Sequence, residues 1–305
     1  MSDRLVRGID RDAGLRVVVA TTTDLVRDAA LRHGAEGLGA CALGRALTSS
    51  LLLATLTKGG ERVTVQLQCD GPAGGISVDA NDAGDVRGYL FHPDRAKLPC
   101  LGRGRVVDVM GRHGVINVLR DLGLKERYQG QIALTTGEVD EDVEGYLRLS
   151  EQVPSALGCD VVIEEGSIVA SAGLLVQALP AKVARSETLP TGEEALREAQ
   201  HALRSGRLWE LLLRGEFSPR SLCDGVYGRA VELLDERPLR FFCHCSRERV
   251  VDSLTLLTTV DLDEMIADDG KAEVTCNFCN RRYEVVADEL EQIRATVARG
   301  PRECN

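Results

Sequence analysis

The chain has 305 residues, of which 44% are hydrophobic and 28% are charged, and its 47 acidic residues outnumber its 37 basic residues, giving a formal net charge of −10. This composition predicts a soluble globular protein with enough residues to bury a substantial core, in two or three units. The acidic balance argues against a general nucleic-acid role, because phosphate binding needs clustered Lys and Arg.

No segment of the sequence indicates a membrane partner. Residues 1–7 contain no apolar signal-peptide region, and the longest apolar stretch, from Leu47 to Leu56, is short for a bilayer span and contains Thr and Ser. We therefore expect a cytoplasmic protein.

The first predicted elements are two helices within residues 24–57. Apolar residues recur there at helical steps, and Gly34, Gly37 and Gly39 divide the two helices. An antiparallel meander follows, since apolar and polar residues alternate over residues 63–69 and turn sequences occur at residues 70–75 and 82–85. Further strands are predicted over residues 105–110, 115–120, 130–135, 160–164 and 167–178, with an amphipathic helix over residues 138–152.

Helices and strands in this part of the chain are segregated rather than alternating, which favours an α+β fold. We predict a mixed N-terminal core of antiparallel sheet and helices over residues 1–180. A helical linker is predicted over residues 181–236, with an apolar helix face from Ala195 to Leu212 and a second helix from Ser218 and Pro219 to Leu234. Such helices bury one stripe and depend on docking, so the linker is predicted to have low stability.

The third predicted unit, residues 237–305, contains four of the ten cysteines. They form two tight motifs, Cys243-His244-Cys245 and Cys276-Asn277-Phe278-Cys279, with thirty residues between them. Two sulfur pairs at this separation can close one tetrahedral thiolate site, so we predict one zinc ion per chain, bound by Cys243, Cys245, Cys276 and Cys279 in the reduced protein. His244 is expected to be a solvent-facing spacer. The unit is too small for a robust core, and its folding should depend on the metal.

The remaining cysteines are interpreted as small hydrophobes or incidental residues. Cys41, Cys69 and Cys159 lie in apolar-patterned stretches, Cys100 and Cys223 are expected to behave likewise, and Cys304 lies in the C-terminal tail. A secretory disulfide framework is disfavoured, since the cytosol keeps most thiols reduced.

Zinc-bound thiolates can be oxidised to disulfides, so the same four sulfurs can also report redox state. A purely structural zinc site remains an alternative at this point. A thioredoxin-like role is disfavoured, because the residues on both sides of Cys276 and Cys279 are patterned as extended chain rather than as a strand-to-helix turn. Neighbouring arginines either favour thiolates or form a solvated basic face; they are Arg240, Arg247, Arg249, Arg281 and Arg282. The sequence contains no P-loop and no recognisable catalytic motif, so we expect neither ATP use nor enzymatic activity.

The C-x-C motif followed by C-x-x-C near the C-terminus resembles the heat-shock protein 33 family of redox-regulated holdase chaperones. The resemblance extends over the core, through the segments Asp70-Gly71-Pro72, Val86-Arg87-Gly88-Tyr89, Tyr128-Gln129-Gly130, Ser150-Glu151-Gln152 and residues 172–180. It implies an ATP-independent chaperone that protects unfolding client proteins under oxidative stress. It also implies oxidation to Cys243–Cys245 and Cys276–Cys279 disulfides, and a homodimer in the active form.

The rival hypothesis is a constitutive structural zinc-ribbon protein that binds RNA or a protein partner. Residues 237–289 contain seven basic and eleven acidic residues, which weakens an RNA-binding role, and C-x-C is uncommon in zinc ribbons. A thiol oxidoreductase is the third hypothesis.

Overall fold

The computed structural model describes residues 2–56, 61–121, 128–179 and 189–298. Its contacts divide the chain into two compact units, Met1–Phe242 and Cys243–Asn305. The predicted three-part division stays a prediction, since its first boundary falls outside the described residues.

The first unit contains eleven strands and seven α-helices among its described residues. The strands are β1 (Arg4–Asp10), β2 (Leu15–Thr21), β3 (Arg62–Cys69), β4 (Gly75–Asn81), β5 (Asp85–Leu90), β6 (Gly114–Asp121), β7 (Tyr128–Ala133), β8 (Ser155–Glu164), β9 (Ser167–Ala178), β10 (Glu232–Pro238) and β11 (Arg240–Phe241). The helices are α1 (Thr23–His33), α2 (Gly37–Ala54), α3 (Val107–Met110), α4 (Val139–Leu149), α5 (Leu189–Arg204), α6 (Arg207–Leu213) and α7 (Pro219–Val226).

A five-stranded antiparallel sheet has the order β10-β1-β2-β9-β8. Consecutive residues of β2 point to opposite faces of this sheet, and apolar residues of β2 lie on both faces. Leu15, Val17 and Val19 belong to one buried cluster, whereas Val18 and Ala20 belong to the other. The sheet therefore separates two hydrophobic cores.

The second sheet has the order β11-β5-β4-β3-β6-β7, with only the β11–β5 pair parallel. Val63, Val65 and Leu67 are buried, as the alternating pattern predicts, and they pack in the same core as α2. Helix α2 is long and apolar enough to cross a membrane by length and composition, but 94% of it is buried inside the protein, as in the core helix of a globular domain. The predicted α+β class is confirmed.

Helices α5, α6 and α7 cover the other face of the five-stranded sheet. Ser218 caps α7 by accepting a hydrogen bond from the Ser221 amide, and Pro219 begins the helix, as predicted. The apolar residues of the three helices in the shared cluster are Ala195, Ala199, Leu203, Leu208, Leu211, Leu212, Leu222, Cys223 and Val226.

Two predicted elements are wrong. Residues 105–110 contain the short helix α3 rather than a strand, because the Glu138 carboxylate accepts hydrogen bonds from the Val106 and Val107 amides, at 3.3 and 3.4 Å, and satisfies the start of the helix. The helix beginning at Pro219 ends at Val226 instead of Leu234.

The residues after α7 form strand β10 instead of continuing as a helix. Strand β10 pairs with β1, where opposite charges meet across the strands: Arg4 with Glu236 at 2.7 Å, and Arg7 with Asp235. Strands β1 and β2 themselves have no counterpart in the sequence prediction.

The second unit contains α8 (Arg247–Leu254), α9 (Thr259–Asp268), β12 (Lys271–Thr275), β13 (Arg282–Val286) and α10 (Ala287–Ala298). Its buried cluster is small: Val250, Leu254, Leu262, Ala272, Val285, Leu290 and Ile293. Such a core is expected to need a further stabilising element, as predicted for the cysteine-containing unit.

Candidate metal centre

The Cys276-x-x-Cys279 motif is the turn of the β12–β13 hairpin. Thr275 pairs with Arg282 at the end of the ladder, and the Cys276 amide donates to the Arg281 carbonyl at 2.9 Å. Asn280 takes a left-handed conformation, with φ of 57°, and its amide donates to the Cys276 carbonyl at 2.8 Å. The extended chain predicted on both sides of the motif is confirmed.

Backbone amides of the turn are directed at the sulfurs. The Cys279 and Phe278 amides form hydrogen bonds with the Cys276 side chain, and the Arg281 amide forms one with the Cys279 side chain. These donors favour the thiolate form, since hydrogen bonding to a charged group stabilises it.

The Cys243-His244-Cys245 motif precedes α8. Ser246 caps this helix, since its hydroxyl accepts a hydrogen bond from the Arg249 amide at 3.3 Å. The chain leading to the cap is thereby fixed, and it brings both cysteines to the hairpin turn. The Cys243 sulfur lies 3.7 Å from that of Cys276, and the Cys245 sulfur lies 3.3 Å from that of Cys279.

The four sulfurs all lie within 4.8 Å of one another. Four sulfurs at a Zn–S distance of about 2.3 Å around one tetrahedral centre are separated by about 3.8 Å, so the arrangement fits a single metal ion. Within the described ranges, this is the one group of three or more His, Cys, Asp or Glu side chains with metal-binding geometry, and His244 does not belong to it. The structure therefore brings together all four predicted ligands.

The sulfurs differ in their electrostatic surroundings. Burial opposes ionisation of Cys245, yet the Tyr283 hydroxyl, which donates to this sulfur at 3.1 Å, and the neighbouring thiols lower its pKa to about 7. Burial raises the pKa of Cys276 and of Cys279. The hydrogen bond from Tyr283 thus favours the thiolate form of Cys245.

Sequence reasoning missed Tyr283. It lies in β13 opposite Val274, and only the register of the hairpin shows that its hydroxyl reaches the C-x-C motif. Of the arginines considered, Arg281 interacts with Tyr283 and with the charges of Cys245 and Cys279, whereas Arg247 binds the Glu284 carbonyl and the Glu289 carboxylate.

The other described cysteines lie in the first unit. Cys41, Cys159 and Cys223 are buried, as expected for small hydrophobic side chains, whereas Cys69 and Cys100 are partly buried. Cys304 lies outside the described residues.

Comparison with known proteins places this arrangement in a family. The Hsp33 protein family matches residues 3–286 of the chain. The 33 kDa chaperonin of Bacillus subtilis (strain 168) is 34% identical over 299 residues, covering 97% of this chain and all of that protein. The 33 kDa chaperonin of Geobacter sulfurreducens is 37% identical over 296 residues, covering 96% and 95% of the two chains.

A solved structure agrees with these sequence matches. The crystal structure of the 33 kDa chaperonin (heat shock protein 33 homolog) from Thermotoga maritima superposes with a TM-score of 0.86 at 27% identity, covering 98% of this chain and 100% of that one. The matches span both compact units, including the four-cysteine centre that ends at Cys279. The chain therefore belongs to the Hsp33 family of chaperones.

Proposed function

We propose that the protein is a redox-regulated, ATP-independent holdase, held inactive by zinc bound to Cys243, Cys245, Cys276 and Cys279 and activated when these thiolates are oxidised. The observation that carries this proposal is the four-sulfur cluster in a chain of the Hsp33 family. Zinc fits the donor set, since four thiolates in tetrahedral arrangement are typical of structural zinc sites. When bound, it supplies a cross-link between the two cysteine motifs.

The cross-link matters because the buried apolar core of the second unit is small. Structural zinc contributes about 10–16 kcal/mol in small zinc peptides, comparable with the whole stability of an ordinary domain, about 5–15 kcal/mol. Oxidation converts the ligands to disulfides, which are poor metal ligands. The second unit then loses the contribution that keeps its seven buried apolar residues together.

Oxidation pairs Cys243 with Cys245 and Cys276 with Cys279. In the folded unit, sulfurs also approach between motifs, as the 3.3 Å contact of Cys245 with Cys279 shows. Once the unit unfolds, sequence neighbours meet far more often than residues thirty positions apart, because loop closure costs more entropy as the loop lengthens. Pairing within each motif is what membership of the Hsp33 family implies, and the loop-closure argument supports it.

The client surface is the face of the five-stranded sheet beneath α5, α6 and α7. Its buried apolar strand residues are Leu15, Val17, Val19, Ala156, Val162, Ala170, Ala172, Leu174 and Val176. A face of this kind binds exposed apolar segments of unfolding proteins without sequence preference, since hydrophobic burial is non-directional.

A polar anchor holds the end of α5 on the sheet. The Arg103 guanidinium donates to the Leu203 and Arg204 carbonyls, both at 2.9 Å, and to Asp160 at 2.8 Å. A cation at the C-terminus of a helix also stabilises the helix dipole. Detachment of the linker would break this anchor as well as the apolar contacts.

Chain connectivity links the metal centre to the linker. Cys243 directly follows Phe242, whose amide donates to the Val86 carbonyl at 2.8 Å at the end of the two-residue strand β11. Unfolding of the second unit frees the chain at this short strand, next in sequence to β10 and the linker helices. Short edge strands detach at low free-energy cost.

The proposal includes a homodimer in the active form, a cytoplasmic location, and no enzymatic activity. Unfolding client proteins are the partners, and neither nucleic acid nor a membrane is required. Membership of a chaperone family favours this function over the constitutive zinc ribbon and over the thiol oxidoreductase.

Disulfide mapping tests the switch. Trypsin cleavage after Arg240, Arg247, Lys271 and Arg281 separates the two motifs into different peptides. Oxidised protein should yield both peptides unlinked, each lighter by two hydrogen atoms, together with one released zinc per chain. Peptides joined between motifs, or zinc retained after full oxidation, would contradict the proposed switch.

A further inference from the structure

The first unit contains a second pair of cysteines whose sulfurs are in contact. The Cys41 sulfur, on the first turns of α2, lies 3.2 Å from the Cys100 sulfur, in the segment between β5 and α3. The two residues are 59 positions apart, so the fold rather than local sequence brings them together. A disulfide needs about 2.05 Å, and the sulfurs must therefore approach by roughly 1 Å.

The segment carrying Cys100 is held over Cys41 at both ends. The Leu38 and Gly39 amides at the start of α2 donate to the carbonyls of Leu98 and Ala96, at 2.8 and 3.0 Å. On the far side of Cys100, the Arg45 guanidinium donates to the Arg103 and Gly104 carbonyls, at 3.1 and 3.0 Å.

Arg45 follows Cys41 by four residues on α2, so both lie on the helix face that carries this segment. The two anchors thus confine Cys100 to a position above Cys41.

Gly104 leaves the space that the sulfurs occupy. Its φ is +66°, and a Cβ at this position would lie 2.6 Å from the Cys100 sulfur and 3.7 Å from the Cys41 sulfur. The backbone therefore makes room for two sulfurs where any side chain would collide.

Access and charge suit the pair to oxidation. Cys100 is partly exposed in a stretch whose neighbours Pro99 and Leu101 are exposed, whereas Cys41 is buried behind it. The hydrogen bond with Cys41 and, against the effect of burial, the positive charge of Arg45 lower the pKa of Cys100 to about 7. Cys100 is therefore the attacking thiolate and Cys41 the resolving thiol.

We infer that Cys41 and Cys100 form a second redox site, a disulfide of the core unit that closes under peroxide. The Cys100 thiolate attacks one peroxide oxygen and becomes a sulfenic acid, and the other oxygen leaves as water after taking up a proton. The Cys41 sulfur then attacks the Cys100 sulfur, the S–S bond forms, and the sulfenic hydroxyl leaves as a second water with the Cys41 proton. The two sulfurs lose two electrons in total and hydrogen peroxide gains them.

Metal binding is the less suitable chemistry for this pair. In the described part of the chain, the C-terminal cysteines form the one cluster of three or more side chains that could bind a metal. Neither Cys41 nor Cys100 belongs to it. Two sulfurs in direct contact with no third ligand fit a disulfide better than a tetrahedral ion.

The bond would have a consequence opposite to oxidation of the C-terminal cysteines. It joins α2, the central helix of the first core, to a distant segment, and a cross-link across a long loop stabilises by restricting the unfolded chain. Oxidation would then strengthen the core unit under the same conditions that release the metal. This inference does not depend on the proposed holdase activity.

The test is peptide mapping of zinc-loaded, full-length protein treated with hydrogen peroxide and digested without reduction. Trypsin places Cys41 in residues 33–45 and Cys100 in residues 98–103. These two peptides should be recovered as one species in most molecules, and dithiothreitol should separate them. In Cys41→Ala, Cys100 should stop at the sulfenic acid and be labelled by dimedone, a label absent from the wild type.

Controls separate native oxidation from scrambling. Cys69→Ser should leave the linked species unchanged, and oxidised wild type should melt roughly 5–10 °C above oxidised Cys100→Ser. Absence of the linked peptide after the four C-terminal cysteines are fully oxidised would overturn the inference. So would linkage seen only after unfolding in urea, or equal melting of the two oxidised proteins.

Discussion

The hydroxyl of Tyr283 donates a hydrogen bond to the sulfur of Cys245, at 3.1 Å, and links strand β13 to the C-x-C motif. Removing a group that orients a metal ligand typically lowers metal affinity 10–100-fold. Tyr283→Phe should therefore weaken zinc affinity by about 10-fold, because the Cys245 thiolate loses a donor. Competition with a chromogenic chelator measures the change.

Tyr128→Phe is the matched control for this substitution, since Tyr128 is exposed on β7 in the first unit. It should leave zinc affinity unchanged. Equal affinity of Tyr283→Phe and wild type would show that the hydrogen bond does not support metal binding.

Loss of a ligand should uncouple activity from oxidation. Cys276→Ser removes one sulfur of the cluster and the partner of Cys279, so we expect lower zinc content and partial client protection even in reductant. His244→Ala changes the neighbouring residue without removing a sulfur and should keep one zinc per chain. Metal analysis and a light-scattering assay check both variants; full zinc loading of Cys276→Ser would refute its assignment as a ligand.

Detaching the linker without touching the cysteines should activate the reduced protein. A Cβ at Gly158 of β8 would lie 2.9 to 3.2 Å from three atoms of Leu203 on α5. Gly158→Val should therefore push α5 away at a cost of about 1–3 kcal/mol. We expect faster amide exchange in α5 and client protection with zinc still bound.

Gly145→Ala controls for the added volume, since its Cβ would meet only Ile132, at 3.8 Å. It should behave like wild type. If Gly158→Val shows rapid exchange in α5 but no protection of clients, the covered face of the sheet is not the client surface.

The pH dependence of stability should contain a contribution from Asp3, whose carboxylate accepts hydrogen bonds from the Asp24 and Leu25 amides at 3.1 and 2.6 Å. Burial outweighs these bonds and raises its pKa from 3.8 to about 6. Between about pH 4 and pH 6 the folded state therefore holds a proton on Asp3 that the unfolded state has lost. The free energy of unfolding is highest below pH 4 and falls by up to about 3 kcal/mol as the pH rises to about 6.

Asp3→Asn keeps an acceptor oxygen and removes the titration. The difference in free energy of unfolding between Asp3→Asn and wild type, measured in urea, should increase from pH 4 to pH 6 and stay constant above pH 6. Asp12→Asn is the control at an exposed position and should follow wild type. Parallel curves for Asp3→Asn and wild type would contradict the role of burial at this residue.

The sequence predicted the four-cysteine cluster better than the whole fold, for a physical reason. Cys243 and Cys245, like Cys276 and Cys279, reveal their chemistry through local spacing. The alternation over β3 likewise reflects a strand with one buried face. The contact of Cys41 with Cys100 depends on residues 59 positions apart and leaves no local pattern.

The errors have the same origin. The valines of residues 105–110 favour a strand locally, but the Glu138 carboxylate lies at their amides in the folded chain and stabilises a helical turn. The charged residues of β10 resemble a solvated helix until Arg4 and Arg7 of β1 supply the opposite charges. Tertiary contacts override local propensity at both places.

Oxidation of the four zinc-bound thiolates should turn on client protection without ATP. The most direct measurement records zinc content and suppression of aggregation of a chemically unfolded client, in one preparation, before and after peroxide treatment and again after reduction. We predict one zinc per chain with poor protection in the reduced protein, and no zinc with strong protection in the oxidised protein. Equal protection by both forms, with zinc retained throughout, would contradict the redox switch and leave a constitutive structural zinc site.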